Sequence, residues 1–266
     1  MVMVNNAMVL PTVQPILIYF AEGIKQLLGN KLIGVYLTGS LTYGGFDIGS
    51  SDIDFVIVLQ NHLSQAEMAA IKLLHADIET RFPLWAQRIE GSYIVRDMLT
   101  EVLPPKAGRP YANDGHFWES APDGNEWLLN LYFLRTCGIT LVGPAPQELI
   151  PEIDIELVRH ASLRDLYEEW LPKMQNPEDL RDSHVQVYAV LTMCRVLHRM
   201  HCDDIVSKRG AATWVKRTYG EPWVSLIEQA EQWQYGQAMD KLPEVIEFIR
   251  FVIQKAEMKD EIITAP

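Results

Sequence analysis

The feature that most constrains the fold is the run from Asp52 to Leu59, in which two aspartates open an otherwise apolar segment. Beyond the aspartates both alternating faces of the run are apolar, which predicts a strand in the centre of a sheet. Asp52 and Asp54 are two residues apart, so they project from the same face with Cα atoms roughly 7 Å apart. Carboxylates at the mouth of a buried strand are unfavourable unless a cation balances them. The run therefore predicts a cation site at the end of a central strand.

A second strand is predicted over residues 33–38, and it ends at Gly39 and Ser40. Small residues at such a bend let backbone N–H groups approach a phosphate, and a helix start there favours its negative charge. Oxygen-only ligands indicate magnesium, as one ion or as two ions about 3.5–4 Å apart that bridge substrate phosphates. The alternative is an ordinary loop at Gly-Ser and a turn capped by Asp-Ile-Asp.

The remaining patterns divide the chain into a mixed first part and a helical second part. A helix over 14–28, a helix opened by the Ser64–Glu67 capping box and a strand over 88–95 make an α/β unit with the two strands above. Residues 100–125 read as a loop and residues 140–154 as a Pro-rich hinge. Helices are predicted over 125–137, 155–171, 183–202, 208–218, 221–235 and 241–259.

Composition excludes several classes of protein. The 266 residues carry a net charge of −12, and neither half is basic, so a module that grips nucleic acid through its phosphates is not expected. An acidic surface attracts cationic small molecules, although acidity alone also serves solubility. The apolar runs are too short to span a membrane, and the N-terminus lacks a basic signal-peptide start. Three cysteines without framework spacing predict a reduced, cytoplasmic protein.

Gly-Ser followed by Asp-x-Asp before a buried strand resembles the signature of the nucleotidyltransferase superfamily, which transfers a nucleotide from a nucleoside triphosphate to a hydroxyl. The resemblance implies that Gly39 and Ser40 hold phosphate and that Asp52 and Asp54 bind metal. It also implies a third carboxylate on a neighbouring strand, for which Glu90 is the candidate. Glu90 would deprotonate the attacking hydroxyl and contact the metal. The alternative is an edge-strand glutamate that faces solvent.

Three further segments narrow the resemblance to the aminoglycoside 3''/9-adenylyltransferases, which modify streptomycin and spectinomycin. They are LVGPAPQEL (141–149), VLTMCRVLHRM (190–200) and IVSKRGAATW (205–214). The resemblance implies an α/β (α+β) nucleotidyltransferase domain with a mixed sheet over residues 1–150. An all-α helical bundle over 151–266 would follow, with substrates bound between the two domains.

The same resemblance assigns further site residues. Lys208 would reach the triphosphate and Tyr235 would lie near the nucleotide. Drug contacts are expected at Trp118, Trp170, Asp179 and Asp182. Each residue also has a structural alternative. The lysine could be solvated at a helix start and the tyrosine half-buried on a helix. The two tryptophans could be packed in the protein, and the two aspartates could belong to an acidic cluster on the surface.

The expected activity is transfer of AMP from ATP to an antibiotic hydroxyl, with Mg²⁺ (one or two ions) as cofactor and pyrophosphate as product. The expected partners are ATP and a cationic small-molecule antibiotic, without nucleic acid or membrane, and the protein is expected to be a monomer. Two alternatives remain open at this stage. The acceptor could be another small molecule or a protein hydroxyl, or the chain could be a non-catalytic nucleotide-binding regulator.

Four residues on one predicted helical face, Cys194, His198, His201 and Cys202, look like zinc ligands. Eight residues of helix rise about 12 Å, whereas zinc–ligand bonds are about 2.0–2.3 Å long. The four therefore cannot share one ion, and helix packing explains them better.

Overall fold

The computed structural model describes residues 11–202, 204 and 206–264. Residues 1–10, from which we expect no signal peptide, lie outside the described residues. The chain forms two compact units, one through Asp47 and from Ser51 to Ile153, the other from Asp154 onward together with Ile48–Ser50. Within the described residues, no helix combines the length and the apolar character needed to cross a bilayer.

The first unit contains a sheet and the helices that cover it. Its helices are α1 (Gln14–Leu28), α2 (Gln65–Arg81), α3 (Trp127–Cys137) and the short α4 (Pro146–Leu149). Its strands are β1 (Leu32–Leu37), β2 (Ile53–Leu59), β3 (Ile89–Val95), β4 (Arg109–Asn113), β5 (His116–Ala121) and β6 (Ile139–Val142).

The six strands form one sheet in the order β5-β4-β3-β2-β1-β6. Strands β2 and β3 run parallel, and every other neighbouring pair is antiparallel. The sheet is therefore mixed, and β2 lies inside it with a neighbour on each side. Both expectations, a mixed sheet and a central position for the strand that follows Asp52, are confirmed.

Local signals explain where the first helices begin and end. Helix α1 ends at Leu28 because Gly29 adopts a positive φ of 49°. Helix α2 begins at a complete capping box, in which the Ser64 hydroxyl accepts from the N–H of Glu67 and the Glu67 carboxylate accepts from the N–H of Ser64. Both helices have the bounds that the sequence predicts at these ends.

The two faces of the sheet bury different side chains. One face packs under α1 and α2 around Phe20, Phe55 and Ile71, and the other packs under α3 around Tyr36 and Trp127. Successive residues of a strand point to opposite faces, so each strand contributes to both layers. This alternation decides which residues of β2 and β3 can reach a site.

One prediction made for this unit is wrong, and a second one missed regular structure. The predicted loop over 100–125 contains the hairpin of β4 and β5, which turns at Asp114 (φ 47°) and Gly115 (φ 70°). The boundary between the two units, after Ile153, lies within the predicted hinge over 140–154, but that segment also contains α4 and part of β6, and β6 pairs with β1 at the edge of the sheet. In both segments Pro, Gly and Asp belong to short turns between elements rather than to a long loop.

The second unit is helical, as predicted. Its helices are α5 (Ile155–Asp165), α6 (Leu171–Gln175), α7 (Ser183–His201), α8 (Lys208–Tyr219), α9 (Trp223–Gln232) and α10 (Leu242–Thr264). A π-helical segment, Leu166–Trp170, joins α5 to α6. Helix α7 packs against α8, α9 and α10, and its buried residues lie in the core of the unit.

Candidate active site

The turn after β1 is built on Gly39. Its φ of +63° is a conformation that L side chains rarely adopt, and Gly39–Leu41 forms one 3₁₀ turn. Thr42 closes the turn, because its N–H and its hydroxyl both donate to the Gly39 carbonyl at 3.0 and 2.8 Å. Ser40 lies in the middle of this turn. Its carbonyl accepts from the N–H of Gly45 at 3.1 Å.

The same turn touches the second aspartate of β2. The N–H of Thr38 donates to the carbonyl of Asp54 at 3.1 Å. A Cβ on Gly39 would overlap the Asp54 carboxylate at Oδ2 and would lie 2.9 Å from the Asp54 Cβ. The absence of a side chain at Gly39 is therefore what lets the carboxylate lie against the turn.

This contact makes Gly39→Ala informative. We expect the substitution to lower the free energy of unfolding by about 1–2 kcal/mol, because alanine is strained at this φ. We expect activity to fall roughly 10²-fold, because the Asp54 carboxylate must move. Gly44→Ala is the matched control, since Gly44 has a φ of +76° and nothing within 4 Å of its Cβ position. Thermal unfolding and initial rates compare the two. Equal activity in both variants would contradict the role of the contact.

Asp54 and Glu90 lie side by side across the parallel strand pair. The register places Asp54 opposite Glu90, Ile53 opposite Ile89 and Phe55 opposite Gly91. Ile53, Phe55 and Ile89 are buried, whereas the two acids are half-buried on the other face. Neighbouring strands are about 4.8 Å apart, so the two carboxylates share one small region. The structure thus brings together the two acids that the sequence places on separate strands.

Asp52 precedes β2 and has a cation beside it. The Arg88 Nε lies 3.8 Å from Asp52 Oδ1, and the guanidinium also donates to the Ser51 carbonyl. Arg88 is 9% exposed, and its guanidinium lies 4.8 Å from the centre of the Trp85 ring. The Arg88 guanidinium therefore supplies part of the positive charge that is expected beside Asp52. Sequence reasoning missed Arg88, although a basic residue directly before the β3 run was a visible signal.

Tyr111, on β4, contacts the third acid. Its phenol donates to Glu90 Oε1. Burial raises the pKa of Tyr111, and the negative charges of Glu90 and Asp54 raise it further, while Arg109 opposes the shift. The phenol accordingly stays protonated and acts as a donor. Tyr111 is not among the predicted site residues, because the composition of residues 100–125 indicates a loop.

Trp118, on β5, presents an exposed aromatic surface on the same face of the sheet. It lies opposite Tyr111 in the β4–β5 register, with ring centres 6.0 Å apart. The His116 ring stacks on it at 5.6 Å, and 43% of Trp118 remains exposed. The predicted drug-contacting tryptophan is therefore accessible and lies on the face that carries Asp54 and Glu90.

In the helical unit, Lys208 and Tyr235 lie among aromatic rings. Lys208 is the first residue of α8, and its Nζ is 5.1 Å from the centre of the Tyr188 ring. The centre of the Tyr235 ring lies 5.2 Å from the ring centres of both His184 and Trp233. Their roles toward a nucleotide stay predictions.

The three acceptor-contacting candidates of the helical unit differ in exposure. Trp170 is 2% exposed in the core, and its Nε1 donates to Asp165 Oδ2 at 2.9 Å. Asp182 caps α7 by accepting from the N–H of Val185 at 3.0 Å, and Asp179 is exposed in a 3₁₀ turn. Packing accounts for Trp170, and helix capping accounts for Asp182. Their drug contacts stay predictions.

Another group of polar side chains lies at the end of α7. Ligand atoms of His198, Cys202 and Asp204 all lie within 4.8 Å of one another. The imidazole and thiol are softer donors than the all-oxygen set that magnesium prefers. This group is therefore not the expected magnesium site.

The mixed sheet, with acids on adjacent strands beside a Gly-Ser turn, defines a nucleotidyltransferase domain. The model of the family described as "Nucleotidyltransferase domain" matches residues 17–94. A second model, "Aminoglycoside adenylyltransferase, C-terminal domain", matches residues 148–256. The chain therefore combines a nucleotidyltransferase domain with the C-terminal domain of aminoglycoside adenylyltransferases, and it is an enzyme of the adenylyltransferase class.

Similar proteins agree with this assignment. A spectinomycin 9-adenylyltransferase from Staphylococcus aureus is 24% identical over 235 residues, covering 82% of this chain and 84% of its own. One from Campylobacter jejuni is 27% identical over 234 residues, covering 82% and 83%. The crystal structure of spectinomycin adenyltransferase AAD(9) from Enterococcus faecialis with ATP and spectinomycin superposes with a TM-score of 0.70 at 20% identity. It covers 92% of this chain and 99% of that chain, and at this identity the likeness concerns the fold alone.

Proposed function

We propose that the protein transfers AMP from ATP to a hydroxyl of an aminocyclitol antibiotic and releases pyrophosphate. The observation that carries the proposal is the placement of Asp54 and Glu90 side by side, with the Gly39 turn against Asp54. The names of the curated relatives make spectinomycin the first acceptor to test. Streptomycin is the second.

The acids fit a magnesium site. Asp52, Asp54 and Glu90 offer only carboxylate oxygens, which are hard donors of the kind Mg²⁺ prefers. Besides burial, which is the main cause, the negative charges of Glu90 and Asp54 raise the pKa of Tyr111, so this region is negative before a cation binds. When bound, Mg²⁺ would neutralise phosphate charge and ease the departure of pyrophosphate.

Glu90 is proposed as the general base. It takes the proton of the acceptor hydroxyl while the hydroxyl oxygen forms a bond to the α-phosphorus of ATP. The bond from that phosphorus to the bridging oxygen breaks, and its electron pair leaves with pyrophosphate. Gly39 and Ser40 hold phosphate oxygens through the 3₁₀ turn, and Lys208 neutralises the triphosphate. Tyr235 contacts the nucleotide.

Acceptor binding is proposed to depend on Trp118 and on the acids of the helical unit. The exposed Trp118 ring offers an apolar surface to a sugar or cyclitol ring on the face that holds the base. Asp179 and Asp182 attract ammonium or guanidinium groups of the drug. Trp170 supports this region through packing, and the net charge of −12 favours the approach of a cation.

The product identifies donor and acceptor together. We expect purified protein with ATP and Mg²⁺ to increase the mass of spectinomycin by one adenylate group and to release an equal amount of pyrophosphate. Mass spectrometry measures the first and a coupled assay the second, with GTP in place of ATP as the donor control.

A panel that includes streptomycin and other aminoglycosides separates the acceptors. Modification of a different acceptor, or of a protein, would keep the chemistry and change the substrate. For each acceptor, pyrophosphate release has to exceed the rate measured without acceptor to count as transfer. Absence of product with every acceptor would contradict the proposal.

A further inference from the structure

Tyr111 lies where it can orient the proposed base. In the antiparallel pair of β3 and β4, Tyr111 is opposite Ser92, and Ser92 is two residues from Glu90 on the same face. Tyr111 and Glu90 are therefore diagonal neighbours across the strands, a separation that a long side chain can bridge. The phenol donates to Oε1 of the glutamate. One carboxylate oxygen thus has a fixed protein donor.

The Tyr111 ring is itself held in place. The Arg109 guanidinium lies 4.7 Å from the ring centre, on the same strand. Arg109 forms an ion pair with Asp123 at 2.8 Å, and the two side chains are 8% and 3% exposed. On the neighbouring strand, the Trp118 ring centre is 6.0 Å from that of Tyr111. A buried guanidinium paired to a buried carboxylate cannot move freely, so the phenol is presented from a rigid support.

Glu90 needs such a partner because of its neighbour. It faces Asp54 across the parallel strands, and two carboxylates at adjacent positions repel each other. Repulsion alone would turn the Glu90 carboxylate away from Asp54 into whichever rotamer is available. The Tyr111 phenol lies on the opposite neighbouring strand, on the side away from Asp54, so its hydrogen bond to Oε1 selects one of these rotamers.

We propose that Tyr111 is a positioning residue that fixes the orientation of the Glu90 carboxylate, so that Oε2 takes the proton of the acceptor hydroxyl. The inference rests on the proposed function, because it assigns Glu90 as the base. Tyr111 acts through Glu90 and does not itself exchange a proton in the reaction.

Tyr111→Phe tests the inference by kinetics. The ring and its packing remain, and only the hydroxyl is lost. We expect kcat to fall roughly tenfold, the order for one lost hydrogen bond that holds a catalytic group, while KM for ATP and acceptor changes less than twofold. In a Glu90→Gln background the same substitution is expected to have no further effect on kcat. A purely structural role would change KM or lower the rate equally in both backgrounds.

Tyr19→Phe is the matched control. The Tyr19 phenol donates to Asp77, so the substitution removes a phenol–carboxylate hydrogen bond between α1 and α2. These helices cover the opposite face of the sheet. We expect its kcat to match that of the wild type. Wild-type kcat in Tyr111→Phe would overturn the inference while leaving the adenylyl transfer intact.

Crystal structures of the wild type and Tyr111→Phe give a readout that does not depend on turnover. We expect one Glu90 rotamer in the wild type, with Oε1 on the phenol, and a displaced or divided carboxylate in the variant. An unchanged Glu90 rotamer in the variant would overturn the inference, whichever acceptor the enzyme uses.

Discussion

Glu90→Gln is expected to lower kcat by roughly 10²- to 10⁴-fold while the protein remains folded. Glutamine keeps the length of the side chain and an oxygen that can accept from Tyr111, but it cannot take a proton from the acceptor hydroxyl. Glu90 is half-buried, and glutamine has nearly the same size and shape, so the substitution disturbs little packing. Pyrophosphate release at saturating ATP and acceptor measures the effect, and thermal unfolding confirms that the fold survives.

Glu22→Gln is the control for this substitution. Glu22 is exposed on α1, which belongs to the helical layer of the first unit. Glutamine there removes the same charge at a position that no proposed step uses. Its kcat should equal that of the wild type. Unchanged activity in Glu90→Gln, with ATP still bound, would instead favour a nucleotide-binding regulator over an enzyme that needs a base.

Alternation along the strand predicted that Asp52 and Asp54 share a face, whereas Glu90 became the candidate for the third acid through the resemblance to nucleotidyltransferases. Asp52 and Asp54 are separated by the apolar Ile53, and a period of two residues places their side chains on one face. The register does not follow from the period. A shift of two residues between the parallel strands would keep both faces and would move Glu90 away from Asp54. Only the structure shows that these two positions are paired.

The hairpin of β4 and β5 was missed because composition outweighed a short motif. Proline, glycine, asparagine and aspartate are frequent over 100–125, and this indicated a loop. Asp114-Gly115 is a two-residue turn of the kind that joins hairpin strands, and both residues have a positive φ. This turn motif by itself predicts two paired strands, one of which carries Tyr111. The drug contact proposed for Trp118 stays a prediction, and its place on a strand was not predicted.

Contacts between segments distant in sequence were the least predictable part. Arg88 near Asp52, and Asp123 paired with Arg109, depend on where loops return to the sheet. Trp170 shows the reverse problem, because its segment read as a binding surface while the side chain is 2% exposed in the helical core. Sequence patterns give the face of an element, whereas the partner on that face depends on the tertiary fold.

Phe55→Ala is expected to lower the unfolding free energy of the first unit by about 3–5 kcal/mol, the usual range for removing a buried phenylalanine ring. Phe55 is 1% exposed, and its ring lies 4.6 Å from Phe20 and 5.7 Å from Tyr93. Its Cγ would be 2.6 Å from a Cβ on Gly91, so the ring fills the space above that glycine. Chemical denaturation, followed by a probe in the first unit, measures the loss.

Substitutions at the adjacent positions 54 and 55 of β2 should therefore affect different properties, the first activity and the second stability. Asp54→Asn is expected to abolish most activity with little change in stability, because Asp54 lies on the half-buried face against Gly39. Phe55→Leu, a milder change than alanine, should retain activity at low temperature and unfold earlier on heating. Leu73→Ala, at a side chain 73% exposed on α2, controls for loss of a large apolar residue and should change neither property. If Phe55→Leu lost activity without losing stability, Phe55 would not serve packing alone, and the separate roles given to positions 54 and 55 would need another explanation.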